Sequence, residues 1–83
     1  MMKNITVLFF ATLRDQAGIK SINLDMPVEA TVASLRVLLC EQILSLRGIA
    51  DHSLVSINHE YAFDESEIPA GAEVALFPPV SGG

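Results

Sequence analysis

The sequence predicts an α+β fold in which a mixed sheet of four to five strands packs on one main helix. Three observations predict it. Two strand-like runs open the chain, a single long apolar stripe at helical spacing follows, and a β-branched and aromatic run, Glu73 to Phe77, comes after the last turn signal. A chain of 83 residues has room for one such domain and no second.

The elements follow in order. Ile5-Thr6-Val7-Leu8-Phe9-Phe10-Ala11 carries β-branched and aromatic residues with no breaker, so it reads as a strand that is apolar on both faces. Leu13 to Gly18 reads as a short turn-like segment. Ser21 to Met26 alternates strictly, with Ile22, Leu24 and Met26 on one face, and forms the hairpin partner of the first strand, ended by Pro27. Thr31 is an N-cap before Val32, without a capping box because Ser34 stands where Glu or Gln is usual. Val32, Leu35, Leu39, Ile43 and Leu46 recur at helical spacing, Leu38 widens the stripe, and Gly48 ends the helix with Arg47 in its last turn. Leu54 to Asn58 is a strand, His59-Glu60 a turn, and Tyr61 to Phe63 a short strand. Asp64 to Glu67 is a solvated acidic loop and Pro69-Ala70-Gly71 a turn before the final strand. This order suits a β-grasp, or ubiquitin-like, roll over residues 1–77, with the first and last strands parallel at the sheet centre. Residues 78–83 form a flexible Gly-Gly tail.

Composition narrows the function classes. Half the residues are hydrophobic (51%), so a core can form, and the net charge of -5 argues against nucleic acid as a partner. No run approaches the roughly 18 apolar residues of a membrane span, and the N-terminal region lacks a signal-peptide pattern, so the cytoplasm is the expected compartment. The one cysteine excludes an internal disulfide. His52 and His59 have no ligands at metal-binding spacing, so neither a metal nor a bound cofactor is expected. Cys40 falls beside the helical stripe and reads as a small buried hydrophobe. No phosphate loop or nucleophile elbow is present.

What remains is a surface and an end. If Ile5, Val7, Phe9, Val55, Ile57, Val74 and Leu76 face the helix, period 2 sends Leu8, Phe10, Ala75 and Phe77 to the opposite face. Phe10 and Phe77, with Leu8 and Tyr61, then form an apolar patch of the kind that marks an interface, and Arg14 lies at its rim. Gly82-Gly83 offers no side chain and adopts unusual backbone angles, so it suits passage through a narrow tunnel to another protein's active site. Pro78 and Pro79 favour extended geometry that holds the end away from the body.

Val7-Leu8-Phe9-Phe10-Ala11, followed by Leu13-Arg14 and Ala17-Gly18, resembles the opening of the small sulfur-carrier subunits of molybdopterin synthase, the MoaD-type members of the MoaD/ThiS ubiquitin-like family. The ending Gly71-Ala72-Glu73-Val74-Ala75-Leu76-Phe77-Pro78-Pro79-Val80-Ser81-Gly82-Gly83 is closer still to that family's pattern. Ala72 replaces a usual Asp, which is expected to loosen the preceding turn, and Leu76 replaces a frequent Phe.

The resemblance implies a mechanism. An E1-like adenylyltransferase uses ATP and Mg²⁺ to convert the Gly83 carboxylate into an acyl-adenylate, and a sulfur donor protein then leaves a thiocarboxylate there. The large synthase subunit receives the tail and transfers the sulfur to cyclic pyranopterin monophosphate during molybdenum cofactor biosynthesis. Gly83 is thus the carrier, Gly82 permits tunnel passage, and Pro78, Pro79, Val80 and Ser81 form the arm. Phe10, Arg14, Tyr61 and Phe77 match positions at partner interfaces. The chain is then the sulfur-donating, otherwise non-catalytic subunit of a heterotetramer. A thiamine-pathway sulfur carrier and a ubiquitin-like protein modifier share the fold and the Gly-Gly end, and stand as alternatives.

Overall fold

The computed structural model describes residues 1–79. In chain order it contains β1 (Met2–Phe9), α1 (Thr12–Ala17), β2 (Ser21–Pro27), α2 (Val32–Gln42), two 3₁₀ turns (Leu44–Leu46 and Ala50–His52), β3 (Leu54–Ile57), β4 (Glu60–Tyr61) and β5 (Glu73–Phe77). The five strands form one sheet in the order β2-β1-β5-β3-β4. The β1–β5 pair is parallel, with Val7 opposite Val74 and Phe9 opposite Leu76, and the other neighbours are antiparallel. This is the predicted β-grasp roll, with the last strand at its centre.

Alternation decides which side of each strand is buried. Ile5, Val7, Phe9, Val55, Val74 and Leu76 are buried together with Val32, Leu35 and Leu39 of α2 and with Leu13 and Leu46. Lys3 lies on this inner face too, although it is charged. Only 5% of it is exposed. Its ammonium donates to the carbonyls of Val28 (2.8 Å), Ala30 (3.1 Å) and Ile68, so one side chain ties β1 to two loops.

Several local expectations need correction. Leu13 to Gly18 belongs to a short helix, closed by Gly18 in the left-handed conformation with its N–H on the Arg14 carbonyl. β1 ends at Phe9, two residues before the predicted end. The capping box of α2 is complete: Thr31 Oγ1 accepts from the Ser34 N–H and Ser34 Oγ accepts from the Thr31 N–H, both at 3.4 Å. A serine hydroxyl at the third helical position reaches back as a glutamate would. The α-helix stops at Gln42 because Ile43 turns extended (φ -128, ψ 94). A 3₁₀ turn then delivers Leu46 to the core, and Gly48 caps no helix. The short strand after the His59 turn covers Glu60–Tyr61. The acidic segment is not simply solvated. Its carbonyls at Asp64 and Ser66 accept the N–H groups of Ala33 and Val32, both at 3.0 Å, which satisfies donors that a helix start leaves unpaired. Asp64 also pairs with Arg36 at 2.9 Å. Ala72 is buried and its turn is closed by backbone bonds to Pro69 and Thr6, both at 3.1 Å.

Candidate functional site: the outer sheet face beside the C-terminal segment

The register builds a row across the face turned away from α2. Leu8, Ala75, Ser56 and Tyr61 stand side by side on β1, β5, β3 and β4. Ala75 and Ser56 are short and buried between longer neighbours, so the open part of this face is narrower than alternation alone implies. Its apolar area sits at the end where β5 finishes. There Phe10 and Phe77 stack with ring centroids 4.8 Å apart and planes 11° from parallel. Offset aromatic pairs of this kind add to ordinary area burial. Phe10 nevertheless remains 41% exposed and Tyr61 75% exposed. Large aromatic area left open on a small domain is the signature of a surface that another molecule covers.

Two neighbours shape this surface. A groove of about 200 Å³ runs between Ser56, His59, Tyr61 and Phe77. His59 comes to it through a two-residue turn in which Asn58 (φ 49) and His59 (φ 75) are both left-handed, the geometry that suits the twist of a tight hairpin. Asn58 fastens the turn to β5: its N–H donates to the Glu73 carbonyl (2.8 Å) and its Oδ1 accepts the Glu73 N–H (2.9 Å). His59 Nε2 stands 3.8 Å from Glu73 Oε1. Sequence reasoning left His59 in a turn with no role, and only the strand register could have put it beside Glu73, in the groove that Phe77 also lines.

The ThiS family profile matches residues 7–83. The chain belongs to the ThiS family. The molybdopterin synthase sulfur carrier subunit of Drosophila yakuba is 36% identical over 83 residues, covering 96% of this chain and 91% of that protein. The solved structure of SAMP1 from Haloferax volcanii superposes with a TM-score of 0.83 at 33% identity, covering 96% of this chain and 99% of that one. A chain from the protein–protein complex of subunits 1 and 2 of molybdopterin-converting factor from Helicobacter pylori 26695 has the same fold (TM-score 0.67, 20% identity, all of both chains covered).

In this ThiS-family chain the residues singled out from the sequence divide into three groups. Phe10, Phe77 and Tyr61 lie on the outer face, with Phe10 and Phe77 in direct contact. Arg14 is exposed on α1, immediately beyond the connection that carries Phe10. Pro78 is half-buried and Pro79 exposed where the chain leaves β5. Val80, Ser81, Gly82 and Gly83 lie outside the described residues.

Cys40 is half-buried against the core, with its thiol 4.0 Å from the Leu46 carbonyl. Burial, reinforced by Asp51 and opposed by Arg47, pushes that thiol above its ordinary pKa. Such a shift keeps it protonated and a poor nucleophile. Among the described residues no three His, Cys, Asp or Glu side chains gather in a way that could hold a metal ion. No helix there is long and apolar enough to cross a membrane.

Proposed function

We propose that this chain is the sulfur carrier subunit of molybdopterin synthase and that the Gly83 carboxyl group carries the sulfur. The observation that supports it most is the exposed Phe10–Phe77 stack at the end of β5, in a chain of the ThiS family. The stack offers a docking face at the root of the segment that ends in Gly82-Gly83. Gly83 lies six residues beyond Phe77, a reach of roughly 20 Å at most. An enzyme that acts on Gly83 must therefore sit against this end of the sheet.

The chemistry then runs in three steps. A carboxylate oxygen of Gly83 attacks the α-phosphorus of ATP, with Mg²⁺ supplied in the E1-like adenylating enzyme, and pyrophosphate leaves. Hydrosulfide delivered by a donor protein attacks the acyl carbon and displaces AMP, leaving a thiocarboxylate. In the large subunit the sulfur passes to cyclic pyranopterin monophosphate and the carboxylate returns. Phe10, Phe77 and Tyr61 dock the carrier, Arg14 contributes a charged rim, and Pro78 to Ser81 span the distance. Gly82 lets the end enter a narrow channel because it has no side chain. Acid and base groups come from the large subunit, which leaves this chain as the sulfur-donating half of the transferase.

Intact mass spectrometry after incubation with ATP, an E1-like enzyme and a sulfide source tests this reading. Exchange of one oxygen for sulfur at Gly83 is the expected product. Deletion of Gly83 should abolish it while leaving the circular dichroism spectrum unchanged. Loading that survives the deletion would refute the assignment.

A second reading is favoured by one specific observation, the resemblance at 33% identity to SAMP1, a small archaeal modifier protein. In it Gly83 is joined to lysines of other proteins. Covalent adducts that persist on denaturing gels, with no thiocarboxylate, would decide for the modifier.

A further inference from the structure

The row across the outer face has a low point. Ser56 and Ala75 stand side by side there and both are short, while Tyr61 rises beside Ser56 and Phe77 lies two residues beyond Ala75. The groove of about 200 Å³ lies at this low point, lined by Ser56, His59, Tyr61 and Phe77. Small-molecule sites enclose roughly 300–1,000 Å³, so a groove of this size suits a single side chain.

The chemistry of the groove says which side chain. Ser56 is only 8% exposed, yet among the described residues its hydroxyl has no hydrogen-bond partner, and its side chain opens into the groove. A polar group so nearly buried gains from a partner that arrives with the incoming surface. Glu73 belongs to the same outer face, because Val74 and Leu76 alternate into the core. Its side chain is half exposed, and His59 Nε2 stands 3.8 Å away, beyond hydrogen-bond reach. Glu73 is two residues from Ala75, roughly 7 Å along the strand, so its carboxylate and the Ser56 hydroxyl lie within the span of one guanidinium. No described Lys or Arg lines the groove and the chain carries a net charge of -5, so an incoming cation meets no like charge. Tyr61 and Phe77 add aromatic surface. A guanidinium stacks flat on such rings and still has five N–H donors for oxygen acceptors. Lysine would bring the charge without the flat face.

We propose that this groove receives one arginine side chain of the large subunit. The guanidinium lies against Tyr61 and Phe77 and donates to the Ser56 hydroxyl and the Glu73 carboxylate. Ser56 and Glu73 are then specificity residues, because a partner that offers a carboxylate or an apolar knob at this place leaves them unpaired. The proposal rests on the reading of the Phe10–Phe77 face as the docking surface.

The test titrates the full chain calorimetrically against the large subunit of molybdopterin synthase, as wild type, Phe10→Ala, Glu73→Gln and Ser56→Leu, at two salt concentrations. Thermal melts establish that each variant is folded. Phe10 does not line the groove, so Phe10→Ala reports on the docking surface alone. Glu73→Gln should bind about three- to tenfold more weakly and with a shallower salt dependence. Ser56→Leu fills the groove and should bind about tenfold more weakly or worse. The arginines of the large subunit are then replaced one at a time by glutamine. One replacement should weaken binding to the wild-type carrier but add little to the loss already caused by Glu73→Gln. Wild-type affinity for Glu73→Gln or for a folded Ser56→Leu, or the absence of any arginine coupled to Glu73, would overturn the groove assignment while a weakened Phe10→Ala leaves the docking surface standing. Should Ser56→Leu fail to fold, Glu73→Gln and its coupling decide. If Phe10→Ala binds like wild type, the docking surface itself is wrong and the proposal falls with it.

Discussion

Lys3→Met isolates a single buried charge. Methionine keeps the unbranched stem that lies along the inner face of β1, so the change removes the ammonium and little else. Three carbonyls lose their donor, those of Val28, Ala30 and Ile68, and the Ala30 and Ile68 bonds are buried. A hydrogen bond to a charged group contributes about 1.5–3 kcal/mol, and an orphaned buried acceptor costs a comparable amount. The three bonds share one donor and are not additive, while removing the ammonium also removes its desolvation cost. A net loss of about 2–4 kcal/mol follows. Total stability for 83 residues is about 4–12 kcal/mol, so this is a large fraction of it. With a urea slope of about 1 kcal/mol per molar, the unfolding midpoint should fall by about 2 M or more. Urea melts followed by circular dichroism read this directly. A midpoint within about 0.5 M of wild type, at unchanged slope, would refute the claim that Lys3 holds the two loops to β1.

Three further outcomes follow from the site and its neighbourhood. Phe77→Ala removes half of the stack and should weaken docking on the large subunit by about 1–3 kcal/mol in a calorimetric titration, the cost of losing a buried aromatic anchor. Cys40→Ser should still acquire sulfur at Gly83 by mass spectrometry, and failure of a folded variant to load would give the thiol a part in the chemistry. The raised thiol pKa of the native chain means that the unfolded chain loses its proton first as pH climbs past the ordinary value of 9.0. Native stability should therefore decline in that alkaline range, and Cys40→Ser should flatten the decline in urea midpoints measured against pH.

The sheet was legible because its strands carry period-2 patterns and Pro27 and Gly71 punctuate them. The outer-face pair Phe10 and Phe77 was legible for the same reason. What escaped was set by backbone geometry that side-chain type conceals. Ala11 gives no turn signal, so β1 read through it, although the chain bends there as a glycine would. Ser34 performs a task usually given to a longer side chain. The spacing of Leu39, Ile43 and Leu46 states that these residues pack inward, but an α-helix and a helix followed by a 3₁₀ turn satisfy it equally well. Lys3 escaped because burial of a lysine depends on carbonyls 25, 27 and 65 residues away. The arrival of His59 beside Glu73 likewise depends on register between strands distant in sequence.

The position of β5 also governs how the protein is made. This strand is the last of the five in sequence but sits between β1 and β3, so a nascent chain lacks the middle of its sheet until Phe77 has emerged from the ribosome. Val7 must then find Val74, and contacts between such distant residues form late and slowly. A message that ends early therefore yields a chain missing its centre, not a trimmed but folded domain. Such a product offers proteases an open substrate and has no assembled Phe10–Phe77 face.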